Sequence, residues 1–165
     1  MQRQILTHNQ VRQKIVRMAY QIYEQHFNEA EIFLIGIREN GYALAQLLQE
    51  ELQQIASFQT HLHGLSLDKL HPTQSHVQLE CPLDQLQHKS VILVDDVLNT
   101  GRTLAYSFKP FLEIPIKTLQ TAVLVNREHH LFPVSADYAG YQLATTLQEH
   151  IQVRLSERDY AVLLL

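Results

Sequence analysis

Val91-Ile92-Leu93-Val94-Asp95-Asp96-Val97-Leu98-Asn99-Thr100-Gly101-Arg102-Thr103-Leu104 is the stretch that decides the fold. Four consecutive apolar residues read as a strand buried on both faces, as in a parallel sheet covered by helices. The strand delivers two adjacent carboxylates, Asp95 and Asp96, into a turn that carries hydroxyls and one glycine. Helical spacing then begins and takes in Leu104, Phe108 and Leu112. Unpaired backbone N–H groups at such a turn converge on an anion. Thr100 and Thr103 add hydroxyl donors there, and Gly101 lets the chain approach closely. A phosphate suits the turn, and the two aspartates suit a vicinal diol beside it. The spacing and lysine of a P-loop are missing. A capped helix after a core strand is the plain structural alternative, and it leaves the Thr-Gly-x-Thr run beside paired acids unexplained.

The flanking sequence repeats the theme. Glu31-Ile32-Phe33-Leu34-Ile35-Gly36-Ile37 reads as a second buried strand, followed by Arg38-Glu39-Asn40-Gly41 and a helix with Leu44, Leu47, Leu48 and Leu52 on one side. A third strand, Leu119 to Val125, leads into Asn126-Arg127. Before them all, Val11, Ile15, Met18, Ala19, Ile22 and Tyr23 recur at helical spacing, with Asn9 as the expected cap. Alternating strands and helices predict an α/β domain: a Rossmann-like, mostly parallel sheet flanked by helices, with its site at the carboxyl ends of the strands. The pattern breaks between Leu65 and Leu86, where Pro72, Pro82 and Thr73-Gln74-Ser75-His76 predict a flexible hairpin or hood excursion at about 66–88. With no linker or repeat, residues 1–165 read as one domain.

Composition narrows the function classes. The chain has 165 residues, 13 Lys and Arg against 17 Asp and Glu, a net charge of −4, and a mean hydropathy of −0.15. No apolar run approaches the ~20 residues of a bilayer span, and no signal peptide is visible. One cysteine, Cys81, fits a reducing cytoplasm. The acidic balance is opposite to the footprint of a dedicated nucleic-acid binder. Ten histidines are scattered, His61-x-His63 and His129-His130 included, and none completes a zinc set by spacing, so no metal ligand is assigned.

The Val91–Leu104 stretch resembles the phosphoribosyl pyrophosphate (PRPP) signature of the type I phosphoribosyltransferases. Ile35-Gly36-Ile37-Arg38-Glu39-Asn40-Gly41 is similar to that family's pyrophosphate loop. Ala122 to Gly140 resembles the subgroup of pyrimidine-operon attenuators and uracil phosphoribosyltransferases. The resemblance implies that Asp95 and Asp96 hold the ribose hydroxyls, while Leu98, Asn99, Thr100, Gly101, Arg102 and Thr103 cradle the 5′-phosphate. It gives Ile37, Arg38 and Glu39 to pyrophosphate, and Asn126, Arg127, Tyr138 and Ala139 to the base. Asp95, Asp96 and Arg38 are then the catalytic set, and Mg²⁺ is bound mainly through PRPP and pyrophosphate. A homodimer and a nucleobase acceptor, uracil first, follow from the same likeness.

Departures from the family's pattern bear on the acceptor. Asn99 stands where purine enzymes commonly place an aspartate acting as general base, and an amide takes no proton at neutral pH. The subgroup's Arg-Asp-Asp run is replaced by Leu67-Asp68-Lys69-Leu70, and Gly140 to Thr146 lacks the usual lysine and proline of the base-site wall. Two alternatives stay open: transfer to a purine or other heterocycle, and an RNA-binding attenuation regulator with weak or lost catalysis. Arg12, Lys14 and Arg17 are the only local basic cluster, which argues against RNA.

Overall fold

In the computed structural model, residues 2–71, 73, 76–146, 148–156 and 158–165 are described. Six strands form the central sheet: β2 (Glu31–Ile37), β3 (Gln59–Ser66), β4 (Gln78–Leu79), β5 (Ser90–Leu98), β6 (Thr118–Arg127) and β7 (Tyr138–Leu143). Their order is β4-β3-β2-β5-β6-β7, parallel throughout except for β4, which runs antiparallel to β3. The chain moves outward in one direction from β2 to β3 and in the other from β5 to β7. The order therefore reverses between β2 and β5, the position at which open α/β sheets form a crevice.

The continuous apolar runs serve both faces of this sheet. Ile32, Leu34, Ile92 and Val94 join one core with Val11, Ile15 and Ile22 of α1 (His8–His26) and Leu44, Leu48 and Leu52 of α2 (Asn40–Ile55). Phe33, Ile35, Val91 and Leu93 join a second core with Leu104 and Phe111. The sequence's period of two thus splits each strand between two cores, as expected for a fully covered parallel sheet.

Several local expectations shift. Helix α1 is capped by Thr7 rather than Asn9: Gln10 N donates to Thr7 Oγ1 and Thr7 N to Gln10 Oε1, a reciprocal box. The helix expected through Leu112 stops early, as α3 (Arg102–Ser107) followed by a 3-10 turn at Lys109–Glu113. Pro110 lacks the N–H that a continuing α-helix would need. The turn buries Phe111 and leaves Leu112 75% exposed. In the irregular stretch, Leu65 pairs with Leu79 and Ser66 with Gln78, while Pro72, Gln74 and Ser75 lie outside the described residues.

A second sheet has no counterpart in the sequence reading. It is antiparallel, ordered β1-β9-β8, and built from β1 (Arg3–Leu6), β8 (Ile151–Ser156) and β9 (Asp159–Leu164). It packs on α1, α2 and β5, so the two chain ends together form a wall above the central sheet.

Candidate active site

The β5 strand ends where the chain order reverses, and the site is built around that end. A cleft of about 340 Å³ is lined by Asp95 to Leu104, by Lys69 and Leu70, and by His150 and Ile151. Every residue assigned to the ribose and the 5′-phosphate, Asp95, Asp96, Leu98, Asn99, Thr100, Gly101, Arg102 and Thr103, therefore faces one space.

The two carboxylates have different surroundings. Asp95 is 2% exposed. Its Oδ1 accepts from its neighbour's N–H at 2.9 Å and from Lys69 Nζ at 3.1 Å. Burial pushes its pKa up to about 7, against the pull of Lys69, with Asp96 adding to the rise. Asp96 is half-buried, accepts from Asn40 Nδ2 at 3.0 Å through Oδ2, and uses Oδ1 to fix the Val97 N–H.

The turn beyond them is braced from outside the cleft. Thr100 O accepts the N–H groups of Leu131 and Phe132 at 2.8 and 3.0 Å. Gly101 sits at φ +87°, a left-handed conformation that favours glycine, and an added Cβ would press on Phe132 and Val134. Thr100 Oγ1 caps the Arg102 N–H at 3.3 Å. Asn99 Oδ1 is buried without a hydrogen-bond partner among the described residues, an acceptor left open in the turn.

The loop after β2 lies close against β5 at Val94 and Asp95. Gly36 pairs with Val94, and an added Cβ on Gly41 would lie 2.6 Å from Val94 O and 3.2 Å from Asp95 Oδ1. Only glycine lets α2 start against β5 at that separation. Ile37 is buried, Glu39 is exposed at the helix start, and the Arg38–Glu39 peptide is cis. The Arg38 guanidinium lies 3.9 Å from the Tyr42 ring centroid and is paired through two nitrogens with Glu80, at 2.9 and 2.8 Å.

The residues assigned to the base separate. Asn126 and Arg127 lie at the carboxyl end of β6, level with Leu98 and Leu143. Asn126 Nδ2 donates to Gln142 at 3.0 Å. Arg127 is 9% exposed and holds Thr145 Oγ1 and Thr146 O. Tyr138 and Ala139 are not brought to this end. Tyr138 pairs with Ala122 at the start of β7, is 2% exposed in the helix-side core, and has its hydroxyl within hydrogen-bond distance of the side-chain oxygens of Gln25 and Gln120. Parallel register is the reason: along β7, only Gln142 and Leu143 reach the level of Asn126 and Arg127. Desolvation also raises the Tyr138 pKa, as for any buried phenol.

Sequence reasoning passed over Lys69, Asn40, His150 and Ile151. Asn40 had a readable signal, since it belongs to the same loop as Arg38. It spans both sheets, donating to Asp96 and, at 3.1 Å, to Val153 O of β8. Alternation in Ile151-Gln152-Val153-Arg154-Leu155 also marks a half-buried strand.

This geometry can be set beside known proteins. The family model for the phosphoribosyl transferase domain matches residues 1–158. The chain belongs to the type I phosphoribosyltransferase family. Curated relatives of this phosphoribosyltransferase include the bifunctional protein PyrR of Streptomyces coelicolor, 32% identical in an alignment 164 positions long that covers 95% of this chain and 85% of the relative. The bifunctional protein PyrR of Haemophilus ducreyi is 33% identical over 96% of this chain and 93% of its own. Among solved structures, the hypoxanthine phosphoribosyltransferase of Trypanosoma cruzi superposes with a TM-score of 0.80 at 16% identity, covering 97% and 95% of the two chains. A hypoxanthine-guanine phosphoribosyltransferase from Bacillus anthracis gives 0.72 at 20% identity, covering 87% and 83%. At such identities these two share the phosphoribosyltransferase fold and say nothing of the acceptor. Among the described residues no helix is long and apolar enough to cross a membrane.

Proposed function

We propose that this phosphoribosyltransferase moves the 5-phosphoribosyl group of PRPP to a nucleobase, with uracil the first candidate, and releases pyrophosphate. The observation that carries the reading is the single cleft at the β2/β5 reversal, which gathers Asp95, Asp96 and the whole Leu98–Thr103 turn. In this reading Asp95 and Asp96 accept hydrogen bonds from the ribose hydroxyls and place negative potential beside a sugar carbon that turns cationic as its bond to pyrophosphate breaks. The turn's N–H groups and threonine hydroxyls fix the 5′-phosphate, and Arg38 meets the leaving group. Catalysis is then positioning and electrostatics rather than covalent chemistry. Among the described residues no three His, Cys, Asp or Glu side chains converge as a cage. Two adjacent carboxylates of which one is half-exposed fit a Mg²⁺ ion held chiefly by substrate oxygens. When bound, that ion neutralises charge on the departing pyrophosphate. Asn99 offers no proton acceptor, which favours uracil over purines in this reading.

Pyrophosphate release from PRPP and magnesium, screened across uracil, hypoxanthine, guanine and other bases, tests the proposal. Uracil is expected to give the highest kcat/KM, and release with no base at all would overturn it. Asp96→Asn is expected to lower turnover by about two orders of magnitude, the scale of one well-placed electrostatic group, with little change in Tm. The RNA alternative is disfavoured in this reading by the excess of 17 acidic over 13 basic residues. Arg17 Nη2 holds Gly140 O at 2.5 Å and Lys14 Nζ sits 5.8 Å from the Tyr141 ring centroid, contacts that tie α1 to β7 and leave both charges in place. Retention of pyrimidine-operon leader RNA in a salt titration would reverse that judgement.

A further inference from the structure

Asp95 and Arg38, which the proposed function asks to hold the ribose hydroxyls and the pyrophosphate of PRPP, already carry a counter-ion each, supplied from the stretch between β3 and β5. Lys69 sits on Asp95 at 3.1 Å and Glu80 on Arg38 at 2.8 Å. The second pair is built for closeness. Glu80 N donates to Gly64 O at 2.9 Å, which fixes the backbone beside β3. Gly64 leaves the space that the pair fills, since an added Cβ would lie 2.4 Å from Glu80 Oε2 and 2.8 Å from Arg38 Nε. The two carboxylate oxygens take Nε and Nη2 of Arg38, the planar fork that would equally match two oxygens of a phosphate. Yet the side chains are 39% and 41% exposed, where an ion pair contributes little to stability. Arg38 in turn holds the Glu80 carboxyl below its ordinary range, so at neutral pH the occupant is an anion.

Resting on the function proposed above, we infer that Glu80 is an affinity-setting residue: its carboxylate occupies Arg38 as an internal stand-in for pyrophosphate, and PRPP or pyrophosphate binds by displacing it. A bound polyanion beside an unmoved Glu80 would meet a like charge, whereas exchange leaves Arg38 paired throughout. The affinity for the pyrophosphate end is thereby held down, which favours release of the product. If Glu80 instead oriented Arg38 for the ligand, removing it would weaken binding, so the sign of the effect separates the two roles.

Calorimetric titration of the full chain with inorganic pyrophosphate and magnesium, paired with KM for PRPP, tests this. Glu80→Gln is expected to tighten pyrophosphate about two- to fivefold, the range of one exposed ion pair, and to lower KM for PRPP with kcat unchanged or reduced. Glu31→Gln, which removes the same charge at the other end of β2, is expected to change neither constant. Arg38→Met is expected to weaken binding, and adding Glu80→Gln to it to produce no further change. Unchanged or weaker binding by Glu80→Gln in an otherwise normal chain, or equal tightening in the Arg38→Met background, overturns the inference and leaves the proposed function standing. Failure of every variant and of the parent to bind either pyrophosphate or PRPP overturns both.

Discussion

Asp95 is the residue at which function and stability pull apart. An acid buried so completely costs the folded state free energy when ionised, and Lys69 offsets only part of that cost. Its folded pKa of about 7 stands above the ordinary 3.8. Between those values the folded chain keeps a proton that the unfolded chain has lost. The contribution to stability is therefore fully present below the unfolded value and is lost as pH rises through about 7. Asp95→Asn removes this dependence. It is expected to be more stable than the parent by an amount that grows from about pH 5 to about pH 8, on the scale of 1.4 kcal/mol per pK unit, while PRPP turnover collapses. Urea denaturation at the two pH values checks it; a difference independent of pH would mean that Asp95 is ionised throughout.

Among the elements, the contact of α2 with β5 sets the site's dimensions. Gly41 lies at the helix start, where its missing side chain lets the Arg38 loop come within reach of Asp95. Gly41→Ala forces the helix or the strand to shift, since its Cβ would meet Val94 O at 2.6 Å. We expect a loss of about 1–3 kcal/mol, the range of an overpacked interior, together with a rise in KM for PRPP. A normal KM in a destabilised variant would separate the packing from the site. This scale also shows what the sequence could reveal. β2, β5 and β6 were legible because a strand buried on both faces is a continuous apolar run, and the Asp95–Thr103 turn because its chemistry lies within consecutive residues. The early end of α3 was readable in Pro110, which cannot continue the helix. The family resemblance gives Tyr138 to the base, but the level of a residue along a parallel sheet is set by strand register, which local pattern does not carry, and Tyr138 pairs with Ala122 rather than Arg127.

At the scale of the whole molecule, the small antiparallel sheet borders the site through His150 and Ile151 at the start of β8. Leu6 pairs with Val162 and Val153 with Val162 from the other side, so both ends meet in one small sheet whose pairings span nearly the whole chain. Alternation marks β8 as a strand, but local pattern carries no trace of such long-range partners, so the sheet itself is not legible in the sequence. Asn40 is the joint between this sheet and the catalytic end of the larger one, because a single amide nitrogen serves both Asp96 and Val153 O. Asn40→Ala leaves Val153 O and the half-buried Asp96 each short of a donor, at a cost of about 1–3 kcal/mol for an unsatisfied buried group. The expected signature is divided. Hydrogen exchange should quicken in β8 and at His150 and Ile151, which line the cleft, while β2 and β5 stay protected. Turnover should fall as Asp96 loses its orientation. Uniformly faster exchange across both sheets would show instead that they unfold as one unit and that Asn40 only contributes to global stability.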